Sequence, residues 1–157
     1  MAGKNYDQFM KKLGGELNKI WHNEPSDLKN LKKRVGHEGF HASPRIDAEF
    51  EAFVLSNQLW GLREVQKGEK NDLETLKEVT KTLVGFSAKR YDSYFTMPFT
   101  KQLLEEATKA VDEIQTRVEF KQFISQLILY ANRLYWWTHG LVPWYEVSVA
   151  FERATRK

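Results

Sequence analysis

The chain has 157 residues, 41% of them hydrophobic and 13% aromatic, which supports one domain or two small lobes around a buried core and excludes a disordered chain. It contains no cysteine, which excludes disulfides and thiolate chemistry and suits a reducing compartment. The formal charge of +3 is too small to point to nucleic acid by itself, so the distribution of charge has to carry that argument.

The opening stretch MAGKNYDQFMKK holds no apolar run of the kind a secretory leader needs, so a cytoplasmic location is expected. Tyr6, Phe9, Met10, Leu13, Leu17, Ile20 and Trp21 recur at helical spacing and predict a first helix over 6–22. Gly14 and Gly15 inside it each cost about 1 kcal/mol relative to alanine. Such a pair permits close packing or a bend. Pro25 ends the segment. Ser26 is a good N-cap for a second helix over 27–35, with Asp27 in its first turn and Gly36 as its stop. The stretch GHEGFHAS, 36–43, reads as a loop.

Ser43 as N-cap and Pro44 at the first helical position then start a long helix. Ile46, Phe50, Phe53, Val54 and Trp60 lie on or near one face of it, and Gly68 ends it. Asn71 caps a short helix carrying Leu73, Leu76, Val79 and Leu83, which Gly85 ends. Ser87 opens another short helix, SAKRYDSYF. Pro98 separates it from a helix over 100–114 with the stripe Leu103, Leu104, Ala107, Val111 and Ile114.

The stretch 118–138 follows. Phe120, Phe123, Ile124, Leu127, Ile128, Ala131, Leu134 and Tyr135 recur at steps of three and four, and from Leu127 onward the sequence is apolar almost all round. Such a helix belongs at the centre of a bundle. It carries Glu119, Lys121 and Arg133, which a membrane span of ~20 mostly apolar residues does not. Gly140 breaks it, and Pro143 starts a last helix over 144–156. No window alternates with a period of two, so no sheet is expected. The sequence therefore predicts an all-α helical bundle in two packed helical lobes, 1–85 and 86–157, with a single bundle as the alternative.

Positive charge is clustered. Lys29, Lys32, Lys33 and Arg34 share one short helix, and Lys89 and Arg90 form a second basic pair beside Tyr91 and Tyr94. Between them lies an acidic-leaning stretch with Asp47, Glu49, Glu51, Glu64, Glu69, Asp72, Glu74 and Glu78. A concentrated positive face suits a phosphate backbone, because neutralised phosphates release counterions. A solvated lysine-rich face is the plainer reading. Arg153, Arg156 and Lys157 form a basic tail that complements a helix C-terminus. Trp136, Trp137, Trp144 and Tyr145 read as core or interface residues, with base stacking as the alternative.

His37-Glu38-Gly39-Phe40-His41 fits the HExxH pattern. On a helix it places two imidazoles on one face for Zn²⁺, with the Glu as general base and Glu49 available as third ligand. Gly36 and Gly39 weaken the helix that this geometry needs, and the preceding Lys32, Lys33 and Arg34 disfavour a dication. The motif reads as an incidental loop pattern, with a zinc metallopeptidase as the alternative function.

The order of segments resembles a known family. A first amphipathic helix is followed by Asn30-Leu31-Lys32-Lys33-Arg34-Val35-Gly36, similar to a family pattern A-L-R-R-A-x-G. Next come the apolar EAFVLSNQLW, 51–60, and Ser87-Ala88-Lys89-Arg90-Tyr91, similar to V-E-K-R-F. The segment from Val118 to Ile128 then resembles I-D-F-x-x-L-L-x-D-L-L. In this order the chain resembles the small subunit of Cascade, the type I-E CRISPR surveillance complex. Lys32-Lys33 stands where that pattern has an arginine pair, which removes bidentate phosphate geometry. The stretch WWTHGLVPWY lengthens the C-terminal part.

The resemblance implies a non-catalytic, all-helical subunit of a ribonucleoprotein complex in antiviral defence. It would pair with a second copy and with other subunits of the complex. It would touch the phosphate backbone of guide RNA and target DNA, including the displaced strand of the R-loop. Lys29, Lys32, Lys33, Arg34, Lys89 and Arg90 are the nucleic-acid-binding residues on this reading. No catalytic residue, metal, cofactor or membrane contact is expected.

Overall fold

The computed structural model describes residues 3–22, 27, 43–67, 72–91 and 97–155, with side chains for 3–19, 27, 48–66, 72–91 and 97–138. Five helices account for almost all of this: α1 Lys4–His22, α2 Ser43–Lys67, α3 Leu73–Arg90, α4 Pro98–Asp112 and α5 Arg117–Thr155. No strand occurs among the described residues. The fold is an all-α helical bundle.

Most packed helix pairs run antiparallel, whereas α1 and α5 run parallel, with Tyr6 beside Glu119 and Phe9 beside Phe123. Lys12 pairs with Glu106 while the Tyr6 amide reaches Glu113, so α1 and α4 run in opposite directions. Lys77 reaches the Ile114 carbonyl and Lys81 the Asp112 carboxylate, so α3 and α4 do the same. Ser56 donates a hydrogen bond to Asn132, and the Phe53 and Tyr135 rings lie 5.5 Å apart, which sets α2 against α5 in the same sense. At ~1.5 Å per residue, α5 is about 58 Å long and serves as the spine.

One hydrophobic cluster takes in side chains from all five helices, from Tyr6 and Leu13 through Leu55, Val84 and Leu104 to Phe123 and Leu134. The stripes expected on α1, α4 and α5 supply much of it. Phe123 lies at a junction, with ring centroids 5.4 Å from Phe9 and 6.4 Å from Tyr6.

The helix ends explain how so polar a chain closes into a bundle. The first amides and last carbonyls of a helix have no partner within it. At α3, Asp72 accepts the Thr75 amide at 2.7 Å. At α5, Thr116 and Glu119 form a capping box, each side chain accepting the other's backbone amide at 3.1 Å. Other ends are closed from far along the chain. Glu113 accepts the Tyr6 amide at 2.8 Å, and a Cβ at Gly3 would come within 2.6 Å of that same carboxylate, so a side chain there would have to displace it. The buried Asp27 accepts the Phe99 and Thr100 amides at the start of α4. The buried Lys77 ammonium donates to the carbonyls of Ile114 at 2.7 Å and Asp112 at 3.3 Å at the other end of that helix.

Several boundaries differ from the sequence expectation. Gly85 does not end α3, which continues to Arg90; the expected lobe boundary at 85–86 therefore falls inside a helix. Glycine loses about 1 kcal/mol in a helix, which burial of Val84, Ser87 and Ala88 along the same turns outweighs. Asp72, not Asn71, caps α3. Pro98 is the first residue of α4 and not a separator, a position where its missing N–H is harmless. The α5 backbone passes through Gly140 and Pro143 to Thr155. Proline there removes one hydrogen bond from a helix of 39 residues. Asp27, expected in a helical first turn, lies in a turn. The remainder of the expected second helix, 28–35, and the loop 36–42 lie outside the described residues.

A candidate docking face on the bundle

The face of α2 predicted to carry Phe50, Phe53 and Trp60 points away from the core. Ala48, Ala52, Leu55, Leu59 and Leu62 are the buried residues of this helix, whereas Phe50 is 62%, Phe53 48% and Trp60 50% exposed. Phe50, Phe53, Asn57 and Trp60 follow steps of three, four and three, which keeps them on one side. On α5 the same rhythm gives Gln122, Ser125, Leu129, Asn132 and Trp136. Leu129 is 47% and Trp136 62% exposed.

The antiparallel pairing joins these two sides. The Ser56–Asn132 hydrogen bond and the Phe53–Tyr135 ring contact lie at the seam, and Tyr135 packs edge-on to Trp136 with centroids 5.6 Å apart. Arg63 lies 5.3 Å from the Trp60 ring centroid, within cation–π reach. The result is a continuous face of aromatic and aliphatic side chains. Ser56, Asn57, Ser125 and Asn132 between them are polar and uncharged. Contiguous exposed apolar patches mark interaction sites, and depletion of charge at the centre is the compositional mark of an interface core.

Of the basic residues singled out in the sequence for nucleic-acid binding, Lys89 and Arg90 lie among the described residues. Lys29, Lys32, Lys33 and Arg34 lie outside the described residues, as do His37, Glu38 and His41. Lys89 and Arg90 are exposed at the end of α3, with Arg90 Nε 3.5 Å from the carboxylate of Glu51. Burial raises the Glu51 carboxyl above its ordinary value, and Arg90 partly offsets that rise. Part of the charge on this pair is therefore engaged within the protein. Glu49, the third ligand in the zinc reading, sits half-buried on α2, and no cluster of His, Asp and Glu able to hold a metal occurs among the described residues. No helix among the described residues is long and apolar enough to cross a membrane.

Several buried hydroxyls outside this face are hydrogen-bonded within or between helices. Thr80 donates to the Leu76 carbonyl, Thr138 to Leu134, and the Thr100 hydroxyl lies 3.0 Å from that of Tyr130. Burial pushes the Tyr91 and Tyr130 hydroxyls far above the usual phenol range, so neither ionises near neutrality.

A family model described as the cucumopine synthase C-terminal helical bundle domain matches residues 6–141. The chain belongs to this family. No curated protein matches the chain, and no solved structure does. The matched range begins at the first core residue of α1 and includes every residue of the aromatic face. The cucumopine synthase bundle description speaks of a domain within a synthase and is silent on nucleic acid.

Proposed function

We propose that this chain is the accessory helical part of a cucumopine-synthase-type enzyme. It docks through the α2–α5 aromatic face onto the synthase portion that carries the chemistry and supplies no catalytic side chain itself. The observation behind this reading is the exposure of Phe50, Phe53, Trp60 and Trp136 on one side of a well-packed bundle, with Arg63 and Glu64 at its Trp60 end. The family description supplies the occupant, since a C-terminal domain of a synthase has the rest of that synthase as its neighbour.

The test is association. The chain is co-expressed with the catalytic portion of a cucumopine synthase and the pair is separated by size. A stable complex is expected with the unaltered chain. Truncating a central aromatic anchor costs roughly 2 kcal/mol or more, so Phe53→Ser and Trp136→Gln should each weaken the complex by at least about 30-fold, and together by several hundred-fold, while helicity is unchanged. An undiminished complex with the double variant would refute the face. Synthase turnover by this chain alone would refute the accessory role.

The nucleic-acid reading has one structural observation behind it, the exposed Lys89 and Arg90. Its own test is salt-dependent binding of the purified chain to single-stranded DNA and RNA, with metal content read on the same sample. Binding that falls steeply with salt and weakens in Lys32→Ala with Lys33→Ala would favour the surveillance-complex subunit. One zinc per chain, lost in His37→Ala, would favour the peptidase.

A further inference from the structure

A groove of about 340 Å³ runs between α1 and α4, on helices that contribute nothing to the aromatic face. Asn5, Gln8 and Lys12 line it from α1 at steps of three and four, above Phe9, and Glu106 and Lys109 line it from α4. Its size lies at the lower end of pockets that hold small molecules, roughly 300–1,000 Å³.

Its polar groups divide into engaged and free. Lys12 Nζ is 2.9 Å from the Glu106 carboxylate and 5.2 Å from the Phe99 ring centroid, so two partners hold it and Glu106 is neutralised. Lys109 has no ion partner among the described residues. The Asn5 and Gln8 carboxamides make no hydrogen bond among the described residues. The groove therefore presents one cation without an ion partner among the described residues, two open carboxamides and the edge of an apolar floor, since Phe9 is almost fully buried.

We propose that this groove binds a small organic carboxylate. Lys109 meets the carboxylate, Asn5 and Gln8 pair with an amide or hydroxyl of the ligand, and its apolar part lies over Phe9. The net lining charge of one cation fits a monoanion. A phosphate dianion would need further donors, and the nearby Tyr6 amide at the start of α1 is already taken by Glu113 at 2.8 Å.

The probe is hippurate, which carries a carboxylate, an amide and a ring; its uncharged amide, hippuramide, is the control. Both are titrated into the ¹⁵N-labelled full chain and followed by amide chemical shifts. Saturable shifts with hippurate are expected along the first two turns of α1 and around Lys109. Lys109→Gln should weaken binding roughly tenfold, as should replacing hippurate by hippuramide. Lys101→Gln, whose side chain lies outside the groove and near Glu105, should bind as the unaltered chain does. No saturable shifts, shifts centred elsewhere, equal binding of hippuramide, or unaltered binding in Lys109→Gln would each overturn the site.

Discussion

Asp27 is 2% exposed, and its carboxylate closes the start of a helix more than seventy residues away. Burial raises its pKa above the ordinary value; the Thr100 and Phe99 hydrogen bonds pull it back, and nearby Glu16 pushes it up again. A carboxyl with a raised native pKa binds its proton more readily folded than unfolded. Its stabilising contribution is fully present below the ordinary value and is lost as pH rises through the raised one. On lowering the pH from 7 to 4.5, the unaltered chain should therefore gain stability relative to Asp27→Asn, read as the difference between their urea midpoints. A difference that stays flat or moves the other way would contradict the sign. Asp27→Ala removes the cap altogether and should cost about 1–3 kcal/mol at neutral pH. In the sequence Asp27 looks like a first-turn acid, because an N-cap partner far along the chain leaves no spacing signal. Lys77 was equally illegible: nothing in LETLKEVTK marks one lysine as the closure of another helix.

The amphipathic stripes of α1, α4 and α5 were legible because one buried side gives a single period, and Phe9, Leu13, Leu103, Phe120 and Phe123 are core residues as that period predicts. Glycine and proline misled where packing overruled them, at Gly85 and along α5. Gly14 and Gly15 resolve the choice between bend and close packing. The α1 helix continues through both, and a Cβ on either would meet nothing within 4 Å. Alanine at these positions should therefore stabilise the protein by about 1 kcal/mol each. The expected reading in a thermal melt is a rise of about 2–4 °C per substitution. No rise, or a fall, would mean that the pair serves a contact outside the described residues.

The all-α class followed from pattern, but the helix count did not: eight helices are expected from the sequence and five occur among the described residues. The outward face of α2 did not follow either, because that helix carries two apolar stripes. Leu55, Leu59 and Leu62 make one and Phe50, Phe53 and Trp60 the other, and size alone favours the aromatic set as core. The missed signal was alanine: Ala48 and Ala52 continue the leucine stripe and allow α2 to lie close against its neighbours. Two substitutions separate the sides. Phe123→Ala, at the junction with Tyr6 and Phe9, should destabilise the bundle by about 3–5 kcal/mol. Trp136→Gln should change stability by no more than about 0.5 kcal/mol, as an exposed position does. Equal losses in chemical denaturation would place Trp136 in the structural core.

The distant closures also bear on how the molecule opens. A terminal turn ordinarily frays by itself, and its amides exchange with solvent long before the rest of the protein. The start of α1 is tied to Glu113 and the start of α4 to Asp27, so neither turn can loosen without breaking a contact to another helix. The start of α5 is capped by its own Thr116 and Glu119; the Tyr6 hydroxyl donates to the Glu119 carbonyl at 3.2 Å, but among the described residues no other helix holds the Thr116 amide. Amides of Tyr6, Phe99 and Thr100 should therefore exchange on the timescale of whole-bundle unfolding, and those of Thr116 much faster. The molecule would come apart as one cooperative unit whose helix ends are among the last places to show it.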